Sequence, residues 1–160
     1  MLGKIIIRRA TVQDAIDMAP HLRDCDVLEL SRASDKAPQD LLKSSVEESL
    51  KDGYAMAAVT AEGLVVSLFG VGNLPAFPDR KVGVIWLLGH KELTKYPREF
   101  AKWSRTYCRQ WQQEYDQLFN FVDADNTTSR AWLKWLGFHE THQVPYGPKG
   151  APFVHFEYRK

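Results

Sequence analysis

A single α/β (α+β) domain spanning residues 1–160 is what the sequence predicts, and three stretches carry that expectation. Val82 to Leu88 is an almost continuous apolar run, the pattern of a strand covered on both faces and therefore central. Pro97 then opens a long helix in which Phe100, Trp103, Tyr107, Trp111 and Tyr115 recur on one face, a stripe that reads as packing against a sheet. Leu118 to Phe138 follows as a strand, a polar turn, a helix and a stop. Leu118, Phe119, Phe121 and Val122 form the strand. Asp123 to Asn126 break it with side chains that bond their own backbone. Asn126 or Thr127 caps the helix, Ala131, Trp132, Trp135 and Leu136 give it an apolar face, and Gly137 ends it.

The remaining elements follow in order along the chain. The N-terminal stretch Met1 to Arg9 is too short for a signal peptide, and Ile5 to Arg9 reads as a first strand. Thr11 to Asp14 is a capping-box variant that opens a helix with Val12, Ala15, Ile16, Ala19 and Leu22 on one face. Arg23 to Ala37 is charged and without period, so it reads as irregular, anchored by Val27, Leu28 and Leu30. Pro38 starts a second helix, carried by Leu41, Leu42, Val46 and Leu50 and stopped at Asp52-Gly53. Tyr54 to Thr60 and Leu64 to Val71 flank the turn Ala61 to Gly63 as a hairpin. Asn73 to Arg80, with Pro75 and Pro78, is a loop. Gln143 to Pro145 and Phe153 to Tyr158, about the turn Tyr146 to Gly150, close the chain as strands. The order is β, α, α, β, β, β, α, β, α, β, β, with no repeat or low-complexity segment.

Composition sets the outer bounds. Apolar residues make up 44% and charged residues 26% of the chain, the balance of an ordinary globular domain. No apolar run is long enough to span a bilayer. A net charge of +1 gives no electrostatic reason to expect nucleic acid or an anionic membrane as the main partner. Cys25 and Cys108 stand far apart, so neither a redox pair nor a thiolate site is indicated, which fits a reducing compartment. His139 and His142 on one strand point to opposite faces, so no metal site is expected.

Asn126, Ser129 three residues later and Leu-Gly-Phe at 136 to 138 resemble the fourth-helix signature of the GNAT acyltransferase superfamily, and the element order agrees with it along the whole chain. The resemblance implies a mixed, mostly antiparallel sheet of six to seven strands with about four helices packed on both faces. Within that superfamily the chain looks like the small GNAT-like proteins of short-tailed bacteriophages, the internal virion protein A type. This likeness rests on the opening Ile-Arg-Arg-Ala-Thr, the Trp-containing central strand, the helix with Arg98, Trp103 and Arg109, and the Asn126 signature. It implies a degenerate acyltransferase serving as a virion, tail or assembly-associated module, or as one that engages a host protein. The implied partners are phage virion components or a host protein, with a homo-oligomer as a further expectation. The implied location is the host cytoplasm when synthesised, and the virion. The alternative is an acetyl-CoA-dependent N-acetyltransferase with a divergent pyrophosphate loop.

The two readings divide on a few residues. A family enzyme is expected to follow this central strand with a glycine-spaced loop, because small residues let backbone amides at a helix N-terminus approach a pyrophosphate. Here Leu88-Gly-His-Lys-Glu-Leu-Thr-Lys-Tyr-Pro97 has Gly89 alone, and Pro97 lacks an N–H. Lys91 and Lys95 read first as solvated lysines. In an enzyme they would hold phosphates with Thr94, the main chain near Leu87 and Leu88 would pair with the pantetheine of acetyl-CoA, and Asn126 would complete the cofactor-binding set. Leu133 occupies the place of the tyrosine that in many members protonates the leaving thiolate. The candidate proton acceptors are His90, Glu29, Asp123 and Asp125; Asp123 and Asp125 also read as turn formers and Glu29 as a residue of a solvated segment, so His90, directly after the central strand, is the best placed of the four.

Overall fold

Twelve elements follow one another in the computed structural model, which describes residues 4–160. They are β1 (Ile6–Arg9), α1 (Val12–Met18), α2 (Asp24–Ala33), α3 (Pro38–Lys51), β2 (Gly53–Val59), β3 (Val65–Leu74), β4 (Val82–Gly89), α4 (Pro97–Glu114), β5 (Gln117–Asp123), α5 (Thr127–Trp135), β6 (His139–Tyr146) and β7 (Ala151–Arg159). Short 3-10 turns cover Ala19–His21 and Lys91–Lys95. The first three residues of the predicted N-terminal stretch lie outside the described residues.

All seven strands join one sheet in the order β1-β2-β3-β4-β5-β7-β6, with β4 in the middle, as its unbroken apolar run predicts. Every pairing is antiparallel except β4 with β5. A parallel pair needs a crossover, and α4 supplies it. One face of the sheet is covered by α4 and α5, where Phe69, Trp103, Trp111, Leu118 and Phe156 are buried together. The other carries α1 and α3 over Ala57, Leu68 and Leu88. The aromatic stripe of α4 does pack on the sheet: Phe69 stacks on Trp103 with ring centroids 4.6 Å apart, a contact worth about 0.5–1.5 kcal/mol beyond its buried area.

The local signals act as their chemistry dictates. Thr11 caps α1 in a full capping box with Asp14. The Asn126 side chain accepts the Ser129 amide at 3.2 Å to cap α5. Gly137, at φ +99°, ends that helix in a backbone conformation a side chain would strain. Phe138 turns back edge-on to Phe156.

Two expectations need correction. Arg23 to Ala37 is not irregular, because residues 24–33 form α2, one helix more than predicted. Its buried residue is Asp26; of the three expected anchors Leu30 packs against the core, while Val27 and Leu28 are exposed. Asp26 is buried because it is satisfied: it takes Arg23 Nε at 2.8 Å and the Gly89 amide at 2.8 Å. The second correction is β6, which starts at His139 rather than Gln143, its polar residues lying along the sheet edge. No helix among the described residues is long and apolar enough to cross a membrane.

Candidate functional site

The parallel pair at the centre of the sheet is incomplete. β4 and β5 are in register only from Val82–Gln117 to Val84–Phe119, and beyond that the two strands part. A cavity of about 890 Å³ occupies the opening and reaches both faces of the sheet. Its walls include Leu87 and Leu88 from β4, Phe121 and Val122 from β5, Glu29 from α2, Phe100 from α4 and Trp132 from α5.

Strand geometry decides what the backbone offers there. The His90 N–H donates to Val66 O at 2.9 Å, so alternation along the antiparallel β3–β4 pair turns the peptide groups of Ile85, Leu87 and Gly89 toward β5. Two of these residues are engaged. Ile85 O accepts Asn120 Nδ2 at 2.7 Å, Gly89 N–H donates to Asp26, and Gly89 O accepts the Arg23 N–H. Leu87 is left with its N–H and C=O facing the opening. That is an unfilled sheet position, able to take one extended polar chain as a strand would.

Glu29 reaches the opening from α2. One of its carboxylate oxygens accepts the Asp123 N–H at 2.8 Å, at the far end of β5. Burial raises its pKa above the usual carboxylate range, while the Asp123 amide and the Asn126 side chain act in the opposite direction. A half-buried carboxylate with a raised pKa on the wall of a cavity is suited to accept a proton near neutrality.

The other expected residues fall in different places. Asp123, 2% exposed, is engaged by Arg32 Nη1 at 2.8 Å and also accepts the Asp125 amide. Asp125 reaches the same Arg32 nitrogen at 2.9 Å from a solvated position. His90 Nδ1 accepts the Glu92 amide at 2.9 Å and so caps the 91–95 turn, and its ring stacks on His21 at 5.2 Å. Burial first, and His21 next, hold its pKa below the usual imidazole value, and its ring is not on the cavity wall. Lys91, Thr94 and Lys95 are exposed on the turn leading into α4. Thr94 borders the cavity, and Lys95 pairs with Glu92 at 2.5 Å. The opening therefore brings together Leu87, Leu88 and Glu29, with Asn126 beside Glu29, and leaves His90 and Asp123 in other bonds.

Sequence reasoning did not single out Arg32, Asp26 or Tyr146. Arg32 and Asp26 sit on the unpredicted helix. Tyr146, which stacks on Phe121 at 5.1 Å and lines the cavity, comes from a hairpin that residue pattern alone cannot place over β5.

No family model matches the chain, and no curated protein matches it in sequence. Solved structures do. A ribosomal-protein-alanine N-acetyltransferase from Brucella melitensis superposes with a TM-score of 0.74 at 16% identity, covering 97% of this chain and 99% of that one. An acetyltransferase of the GNAT family from Streptococcus pneumoniae gives 0.67 at 11% identity, over 98% and 100% of the two chains. A Salmonella typhimurium protein assigned as an acetyltransferase, solved with its cofactor acetyl-CoA, gives 0.71 at 14% identity, over 98% and 94%. The chain has the GNAT acetyltransferase fold over nearly all of its length. Nothing in these likenesses links it to phage virion proteins.

Proposed function

We propose that the protein is an acyl-CoA-dependent N-acyltransferase whose reaction takes place in the opening between β4 and β5. The observation that carries this reading is the early parting of the two strands, with the Leu87 peptide groups turned into the gap and a carboxylate of raised pKa on its wall. A CoA thioester supplies an acyl group activated toward amines. The residues present fit its pantetheine arm: Leu87 N–H and C=O match the alternating donors and acceptors of an amide chain, with Leu88, Val122 and Leu133 as apolar walls. Solved structures of the same fold include one containing acetyl-CoA.

The phosphate end calls for a different solution. A 3-10 turn replaces a glycine loop, and α4 opens on Pro97, so side-chain charge takes over from backbone amides. Lys91 and Lys95, with Thr94 between them, supply it at the approach to the helix N-terminus.

The residues of the opening divide the work. Glu29 accepts a proton from the attacking amine, Leu87 N–H donates to a carbonyl oxygen, and the apolar walls exclude water. Asn126 steadies the charged form of Glu29 while capping α5. Leu133 offers no proton for the departing sulfur, so the thiolate leaves and takes up the proton that Glu29 accepted from the amine.

A second reading, a binding module in a phage particle or against a host protein, is favoured by that same 3-10 turn and by Pro97, which remove the amide cradle expected of an enzyme. Titration calorimetry with acetyl-CoA separates the two. The acyltransferase reading expects micromolar to sub-millimolar affinity, and no heat at millimolar ligand would leave the binding module.

A further inference from the structure

The two ends of the cavity differ in chemistry. Toward α2 and α3 it is polar, with Glu29, Ser45 and Glu48 on its wall. Toward α4 and α5 it is walled by Phe100, Trp103, Cys108, Trp132 and Leu133. Side chains of this kind ordinarily pack against one another to crystal-like density. Here they enclose space continuous with the opening in the sheet.

Two donors on that wall have no acceptor. Trp103 is 7% exposed, and its indole N–H is buried without a partner; the indole N–H of Trp132 is in the same condition. Buried donors are nearly always satisfied, and Phe or Leu would fill the same wall without an orphan group. Two orphan N–H groups on one apolar chamber mark a place where an acceptor arrives with the ligand. The wall is apolar enough that burial pushes the Cys108 thiol up to about 12.

We propose that the chamber between α4 and α5 receives an acyl chain longer than acetyl, with the Trp103 and Trp132 N–H groups donating to carbonyl oxygens of the arm that carries it. The inference rests on the acyltransferase reading and names the donor class of the same site. An acetyl group would leave most of this chamber empty. A medium acyl chain fills it and needs no polar partner along its length, while its thioester arm brings the oxygens the indoles lack.

The test is a chain-length series. Acetyl-, hexanoyl- and decanoyl-CoA are titrated calorimetrically into the intact chain, with free decanoate as a separate probe. Each buried methylene tightens binding about fourfold, so hexanoyl-CoA, four methylenes longer, should bind roughly two-hundredfold more tightly than acetyl-CoA. Ala101→Phe, at a half-buried position on the chamber wall, should flatten the series while holding acetyl-CoA within about twofold. Trp103→Phe keeps the ring and removes the donor, and should weaken every thioester about twofold to tenfold alike.

Acetyl-CoA binding with no dependence on chain length overturns the chamber and leaves the acyltransferase reading standing. Decanoate binding that Ala101→Phe abolishes, with no thioester bound, supports the chamber and overturns the acyltransferase reading. No binding of any of these probes overturns both. Should Ala101→Phe fail to fold, Cys108→Leu serves as a smaller plug, and the wild-type series alone still decides.

Discussion

Asn126 holds two structures at once, and substitutions can separate them. Its side-chain oxygen accepts the Ser129 amide at 3.2 Å and caps α5, while its amide favours the charged form of Glu29 against burial. Asn126→Ala removes both. Loss of the cap costs about 1 kcal/mol, which for a domain of this size lowers Tm by about 2–4 °C. Without that amide the pKa of Glu29 rises further, and the acidic limb of kcat/KM moves to higher pH. Asn126→Asp keeps a capping oxygen of equal quality, so Tm should stay near wild type. It also sets a second carboxylate beside Glu29, which raises that pKa by repulsion and moves the limb further than alanine does. Thermal melts and pH–rate profiles of the three proteins read the two effects separately. An aspartate variant whose acidic limb stays at the wild-type position would sever Asn126 from Glu29. An alanine variant that melts with the wild type would remove the cap.

Glu29→Gln should lower kcat about 10²- to 10⁴-fold, the usual contribution of a positioned base, with acetyl-CoA affinity nearly unchanged. The same variant should be more stable than wild type at alkaline pH. Because the folded-state pKa of Glu29 is raised, its contribution to stability is complete below the unfolded pKa and is lost as pH rises through the folded value, and denaturant melts at two pH values read the difference. Lys91→Ala with Lys95→Ala should weaken CoA binding roughly threefold to tenfold at low salt, and less at high salt, as calorimetry at two ionic strengths will show. Phe138→Ala removes the edge-on partner of Phe156 from a site 3% exposed, should cost about 3–5 kcal/mol, and should lower Tm by roughly 10 °C, measurable by circular dichroism.

The sequence shows local chemistry and misses what only a third dimension supplies. The capping box at Thr11 to Asp14, the hairpin of β2 and β3, the apolar run of β4 and the cap and stop of α5 at Asn126 and Gly137 were legible from local chemistry, but the inward face of α5 was not: Ala131 and Trp135, expected there, are exposed and Leu133 is buried instead. α2 was hidden for a physical reason. A helix announces itself by an apolar face, and this one buries a carboxylate whose partners are Arg23 and a peptide N–H 63 residues away, while Val27 and Leu28 face solvent. The start of β6 was hidden because an edge strand can be polar. Leu87 and Leu88 were placed at the site from the resemblance, but that β4 and β5 part after three pairs has no signature in either strand. Glu29 reads in sequence as a residue of a solvated segment, and the structure sets it half-buried against the end of β5.

The most direct test of catalysis in the sheet opening is the amide resonance of Leu87 in a labelled sample titrated with acetyl-CoA. If the opening holds the thioester arm, the Leu87 amide shifts and gains protection from exchange, together with Leu88 and Val122, while β1 and β2 stay unchanged. A Leu87 amide that keeps its position and exchange rate at saturating acetyl-CoA, or shifts confined to the far side of the sheet, would contradict it.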